Sequence, residues 1–365
     1  MNPADRAAPP ARARLEATLT RAWLHRGPLA CALWPLSWLY GALVALRRLA
    51  FRVGLAPRTR LARPVLVVGN RIVGGAGKTP TVIALLAHLR AQGWQPGVVS
   101  RGHGRQGHGL AAVEPGTPAA AVGDEPLLIR LRGGAPVVVG ADRVAAARAL
   151  LTAYPEVDLV VADDGLQHLR LARQVEVVVF DARGAGNGWL LPAGPLREPL
   201  RARSDAGSTL TLYNADAPST ALPGWLARRT LAGAVALDAW WRGEPATMAA
   251  LQALRGHDVH ACAGLARPQG FFDALEAAGL RVTPRPLPDH ADYADLPWPP
   301  GAGDVLVTEK DAVKLEPARV ARERPGARVW VAPLDFRPEP GFLAAVDAAL
   351  APWRRAGPAA TPQGG

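Results

Sequence analysis

The strongest chemical signal in this sequence is the stretch Val68-Gly69-Asn70-Arg71-Ile72-Val73-Gly74-Gly75-Ala76-Gly77-Lys78-Thr79-Pro80. Glycines let backbone N–H groups turn inward around phosphate oxygens, and the start of a following helix adds a favourable field. In that geometry Gly74, Gly75, Ala76, Gly77, Lys78 and Thr79 form a phosphate-binding loop. Lys78 would reach the β- and γ-phosphates, and the Thr79 hydroxyl would hold Mg2+. Strict Walker A spacing wants a glycine where Ile72 stands, so the loop is a variant, Gly-Gly-x-Gly-Lys-Thr. A second magnesium anchor belongs at the tip of another buried strand. Val157-Asp158-Leu159-Val160-Val161-Ala162-Asp163-Asp164 supplies one, ending in two carboxylates followed by Gly165-Leu166-Gln167-His168. Spacing does not say whether Asp163 or Asp164 lies nearer the metal.

Composition narrows the class of molecule that carries this loop. At 365 residues the chain has room for two α/β domains of ordinary size. With 49% hydrophobic and 20% charged residues, it has the make-up of a globular protein with a sizeable core. The formal charge of +11 invites a nucleic-acid reading, but the way the charge is made up argues against one. Lysine occurs only at 78, 310 and 314, and the many arginines are scattered. An anionic membrane surface or a phosphorylated substrate accounts for the balance as well. Where arginine has replaced lysine almost everywhere, each remaining lysine is expected to be needed for its geometry. Cys31 and Cys262 lie far apart without Cys or His ligand spacing beside them. They exclude a disulfide scaffold and a zinc site and fit a reducing compartment.

The elements that must position the loop lie on either side of it. Residues 1–14, rich in Pro, Ala and Arg, read as a disordered tail. An uncharged run over residues 27–46 follows, flanked by Arg26 and by Arg47 with Arg48, and it is about long enough to span a bilayer. Pro28 and Pro35 interrupt it, and Trp34, Trp38 and Tyr40 favour the headgroup layer. Residues 15–53 therefore read as a membrane-associated helical segment lying in the interface, with a true span and a buried core helix as alternatives. Strands are then expected at 65–68, 96–100, 136–139, 157–162 and 175–180, with a helix over 78–91. Short β-branched runs alternating with helices predict an α/β fold with a mostly parallel, doubly wound sheet over residues 54–217. The pattern lapses over 218–233, which suits a linker. A second, smaller α/β domain is expected over 234–350, with strands near 258–263, 304–308 and 328–332, and 351–365 read as an unstructured tail.

Other nucleotide proteins fit less well. Membrane-partitioning ATPases carry a signature lysine immediately before the Gly-Gly pair, where this chain has Val73. A GTPase needs Asn/Thr-Lys-x-Asp, and Thr308-Glu309-Lys310-Asp311 has its lysine one position late. No complete G-x-G-x-x-G fingerprint follows a strand, which argues against a dehydrogenase.

Over residues 15–336 the sequence resembles the tetraacyldisaccharide 4'-kinase family, the lipid A 4'-kinases of Gram-negative bacteria. The resemblance rests on motifs in order: the phosphate loop, Ser100-Arg101-Gly102-His103-Gly104, Gly123-Asp124-Glu125-Pro126 and Asp163-Asp164-Gly165-Leu166-Gln167-His168. After these come Asn187-Gly188-Trp189-Leu190-Leu191-Pro192-Ala193-Gly194-Pro195-Leu196-Arg197-Glu198, Ala263-Gly264, Asp289-His290 and Thr308-Glu309-Lys310-Asp311-Ala312-Val313-Lys314. His103 stands where the family usually has tyrosine. The resemblance implies Mg2+- and ATP-dependent phosphorylation of the 4'-hydroxyl of a tetraacylated disaccharide 1-phosphate, a lipid A precursor. It also implies two α/β/α domains with the site in the cleft between them, in a peripheral or monotopic protein on the cytoplasmic face of the bacterial inner membrane.

By the same resemblance Asp124 is the candidate general base and His290 its partner from the second domain, the two meeting on domain closure. Taken alone, Asp124 would read as a helix cap and His290 as a surface histidine. Arg197 and Glu198 close a Pro- and Gly-rich loop and read as phosphate- or magnesium-facing groups, with a surface ion pair as the alternative. Glu309, Lys310 and Lys314 receive no role. A membrane-recruited nucleotide-switch ATPase would share the loop and the apolar helix but would not need an acid–histidine pair. A kinase acting on a soluble sugar or nucleoside would leave residues 27–46 unexplained.

Overall fold

The computed structural model describes residues 18–201 and 206–354. The expected N-terminal tail, and the C-terminal one beyond 354, lie outside them. Eight strands open the fold: β1 (Val65–Gly69), β2 (Pro96–Ser100), β3 (Ala111–Ala112), β4 (Val137–Val139), β5 (Leu159–Asp163), β6 (Val175–Asp181), β7 (Ser208–Asn214) and β8 (Trp225–Leu231). Every residue of β1, β2, β5 and β6 is buried. Such unbroken apolar runs are what a strand covered by helices on both faces requires. The order β8-β7-β6-β1-β5-β2-β4-β3 is parallel throughout except at β3, confirming the doubly wound α/β expectation. From β1 the chain moves outward one way through β2 and β4, and later the other way through β6 to β8. The carboxyl end of β1 thus sits at the switch point, where open α/β sheets bind ligands.

A second sheet follows, built from β9 (Val235–Ala236), β10 (Asp258–Ala263), β11 (Arg281–Pro286), β12 (Asp304–Val307) and β13 (Arg328–Val331) in the order β11-β10-β12-β13-β9. The chain then returns. β14 (Leu334–Pro338) pairs antiparallel with β8 and closes the edge of the first sheet, making it nine-stranded. The helix Pro340–Leu350 packs on β6 and β7 with Phe342, Val346 and Leu350 fully buried. One hydrophobic cluster runs through both units, from Leu66 and Leu86 through Leu127 to Trp240, Val307 and Phe342.

Three expected boundaries need correction. Residues 218–233 are not a plain linker, because β8 occupies most of their second half. Exposed Arg228 and Arg229 broke its apolar pattern. The second unit does not run to 350, since β14 and the last helix belong to the first sheet. Residues 351–353 form a 3-10 turn, and Arg354 lies 5.7 Å from the Trp94 ring centroid, so 351–354 are ordered rather than part of the expected unstructured tail.

The apolar segment forms the helix Pro28–Arg52. Polar groups dock one side of it on the loop after β6: Ser37 Oγ donates to Leu190 O (2.8 Å) and Tyr40 Oη to Arg197 O (2.8 Å). Trp34, Leu36, Trp38, Leu39, Leu43 and Leu46 are exposed.

Candidate active site

The phosphate loop leaves β1 and enters the helix Lys78–Ala91, as the sequence predicts. Gly77 caps that helix at φ 95°, and a Cβ there would lie 2.2 Å from Asn214 Nδ2, so both conformation and space demand glycine. Local hydrogen bonds hold the loop. Asn70 Nδ2 donates to Gly74 O (2.8 Å), Asn214 Nδ2 to Ala76 O (3.2 Å), and Arg183 to Gly75 O (2.9 Å) and Val73 O (3.3 Å). Arg183 is gripped by Asp181 at the end of β6, and Asp181 also binds Arg267 from the second unit. Lys78 Nζ lies 3.4 Å from Asn70 Oδ1 and 3.7 Å from Asp164 Oδ1, and Thr79 beside it is half-buried.

Asp163 ends β5, buried, with Oδ2 accepting from Ser100 Oγ at 2.8 Å while Oδ1 has no partner. Burial, aided by Glu125 and Asp164, pushes its carboxyl up to about 7, against the pull of Lys78 and Ser100. A buried, half-satisfied carboxylate at this point suits a cation. Asp164 is placed differently. Its φ is 48°, it pairs with Lys78 and with Arg197 (3.3 Å), and those cations hold its carboxyl below the usual range despite burial. Among the described residues no cluster of three or more His, Cys, Asp and Glu side chains forms a cage.

Asp124 opens the helix Asp124–Gly133, which packs against the Lys78–Ala91 helix, and both begin at the carboxyl edge of the main sheet. His290 arrives from the second unit at φ 62°, with Nδ1 2.9 Å from Asp124 Oδ2 and 3.1 Å from Oδ1. The pair that was expected to meet on closure is already joined. Burial alone would raise Asp124, but His290, Lys310 and Lys314 more than offset it and hold the carboxyl below the ordinary range. The hydrogen bond that His290 Nδ1 donates to the Asp124 carboxylate raises His290. A cavity of about 650 Å³ opens beside the pair, bordered by His103, Trp241 and Arg319 among others.

Glu198 does not join this group. Its carboxylate is buried against Arg48 of the N-terminal helix and Arg71, so the structure uses it as an ion-pair anchor for that helix. Arg197 lies at the site through Asp164 and through Gln167 Oε1 (3.1 Å). Glu309, which had no assigned role, binds Arg132 and Trp240 Nε1 (3.0 Å) and ties the two units together. Sequence reasoning missed Asn70, Arg183, Asp181 and Asn214. Their one available signal was position, since Asn70, Asp181 and Asn214 all stand at carboxyl ends of strands beside the switch point.

Comparison with known proteins places this geometry. The family model described as tetraacyldisaccharide-1-P 4'-kinase matches residues 29–351. A protein named tetraacyldisaccharide 4'-kinase from Methylibium petroleiphilum is 68% identical over 96% of this chain and 98% of its own length. One of the same name from Leptothrix cholodnii is 55% identical over 94% of this chain and 98% of its own length. A crystal structure of LpxK from Aquifex aeolicus in complex with ATP matches with a TM-score of 0.72 at 26% identity, covering 89% of this chain and 99% of that one. Matched along nearly its whole length in sequence and in fold, the chain belongs to the tetraacyldisaccharide-1-P 4'-kinase family.

Proposed function

We propose that this protein transfers the γ-phosphate of ATP to the 4'-hydroxyl of tetraacyldisaccharide 1-phosphate, the lipid A disaccharide precursor, at the inner-membrane surface. The observation that carries the reading is the hydrogen-bonded Asp124–His290 pair at the mouth of a large cavity, on a helix packed against the phosphate-loop helix. A nucleotide switch has no use for that pair.

In this mechanism the backbone N–H groups of Gly74–Thr79 and the Lys78 ammonium hold the triphosphate. Thr79 and Asp163, whose Oδ1 is unpartnered, would hold Mg2+, with Asp164 beside them. The cation supplies charge neutralisation at the β- and γ-phosphate oxygens when bound. Asp124 accepts the proton of the 4'-hydroxyl, oriented by His290. The sugar oxygen forms its bond to the γ-phosphorus as the bond to the β,γ-bridging oxygen breaks, and ADP leaves with that electron pair. Arg197, held near Lys78 through Asp164, adds positive charge where the transferring group passes. The exposed apolar side of the N-terminal helix rests on the cytoplasmic leaflet, so the acceptor need not leave the bilayer.

Purified protein with ATP, Mg2+ and the disaccharide 1-phosphate should yield a bis-phosphorylated product. Asp124→Ala should lower kcat by roughly 10²–10⁴-fold, the range for a general base, with ATP binding kept. Lys78→Ala should remove nearly all turnover. Wild-type turnover by Asp124→Ala would overturn the base assignment. No product from the wild-type enzyme would overturn the function.

A further inference from the structure

All three lysines of this arginine-dominated chain converge on the site, and two of them have no assigned task. Lys310 lies in the short helix Glu309–Ala312 after β12 and Lys314 just beyond its end, and both reach the Asp124 helix, at Glu125 and Asp124 respectively. Lys310 is shared between Asp289 Oδ1 (2.9 Å) and Glu125 Oε1 (3.3 Å). Lys314 is placed otherwise. Its side chain is 8% exposed, and its Nζ lies 3.8 Å from Asp124 Oδ2 and 3.4 Å from Asp311 Oδ1.

We propose that Lys314 is a positioning residue for phosphoryl transfer: from the second unit, its ammonium fixes the Asp124 carboxylate and sustains its negative charge beside the acceptor cavity. The proposal rests on Asp124 being the base.

Three observations carry it. First, the ammonium is moored. Asp311 is fully buried and accepts from Thr308 Oγ1 (2.6 Å) and from Gly264 N (3.1 Å), so the group facing Lys314 from behind cannot drift. Second, Nζ is buried without a hydrogen bond, 5.2 Å from the centroid of the Tyr293 ring. It therefore acts on Asp124 through charge, which partial burial strengthens relative to open solvent. Third, Lys314 lines the same cavity as Asp124 and His290. A compact ammonium on a flexible stem spans the slot between Asp124 and Asp311.

Other charged groups also face Asp124. Glu125 comes from its own helix, Asp289 and His290 from the loop after β11, and Lys310 from the segment after β12. His103, after β2, has its ring 5.5 Å from that of His290. Of these, Lys310 and His290 also lower the Asp124 carboxyl, so removing Lys314 should weaken the effect without abolishing it.

The test is the pH profile of kcat for Lys314→Met, Lys314→Gln and Lys314→Arg, alongside thermal unfolding and KM for ATP. The neutral variants should fold, keep KM for ATP, and lose about tenfold in kcat through misplacement of the Asp124 carboxylate. Their acid limb should move up by about one pH unit, the low end of the effect of an opposite charge at this range. Lys314→Arg keeps the charge and should leave the limb where it is, even if kcat falls. A drop in kcat with an unmoved limb would make Lys314 merely structural and overturn the proposal, as would neutral variants that do not fold. Unchanged kcat and limb would overturn it too. If Asp124→Ala is inactive while the limb stays put in Lys314→Met, this proposal alone fails. If Asp124→Ala turns over normally, the base assignment fails with it.

Discussion

The bond between Asp124 and His290 joins residues 166 positions apart and couples proton chemistry to folding. Asp124 is lowered from its ordinary 3.8, so its contribution is present above about that pH and lost as pH falls through its folded value. His290 is raised from 6.5, so its contribution is complete below that pH and lost as pH rises through its folded value. The pair therefore stabilises most between about pH 4 and 6.5. Thermal unfolding of His290→Gln should show a larger loss at pH 5.5 than at pH 9. A loss that is equal, or greater at pH 9, would contradict the assignment of the charged pair. Residue chemistry in the sequence was legible where it was local. The phosphate loop and Asp163-Asp164 are contiguous runs at strand ends, and both lie where their patterns predict. Lys314 was legible only as a rare residue, because Asp124, the group it acts on, comes from the other unit.

Among the elements, the helix Pro28–Arg52 is the most divided in character. Arg48 binds Glu198, Tyr40 binds Arg197 O, and Ser37 binds Leu190 O, which fixes it to the loop leading into the site. Only Ala30 and Ser37 along it are buried, and its outer side carries Trp38, Leu39 and Leu46 at 61–67% exposure. Burying that side in a lipid interface would remove apolar area from water at roughly 25 cal/mol per Å². Changing Trp38, Leu39 and Leu46 together to serine should move the protein from the membrane to the soluble fraction while leaving its melting temperature nearly unchanged. Unaltered sedimentation would count against the membrane reading. The apolar run announced this helix. Its polar moorings were hidden, since Ser37 and Glu198 carry no pattern of their own.

At the scale of the whole molecule, the chain's return to the first sheet decides how the two units are joined. β14 and the helix Pro340–Leu350 lie on the far side of the second unit in sequence, yet they complete the first sheet and share its hydrophobic cluster. The second unit is thereby tied to the first by both of its ends, which suits a site that takes Asp124 from one and His290 from the other. Phe342 is fully buried there and meets Trp225 edge-on at 6.0 Å. Phe342→Ala should cost about 3–5 kcal/mol in denaturant unfolding. A cost under about 1 kcal/mol would mean that this helix is not part of the cooperative core.

The sequence by itself determined the α/β class, the central parallel strands, the phosphate loop and the acidic strand tip, because each is set by short-range periodicity or contiguous chemistry. It also showed, through similarity of ordered motifs, which family the chain belongs to. Tertiary structure alone decided that β8 is a strand, that the C-terminal segment closes the first sheet, and that Glu198 anchors a helix. It likewise decided that both remaining lysines surround Asp124 and Glu125. Those outcomes depend on pairings between distant segments, where hydrogen bonds and buried charges find partners that no local pattern records.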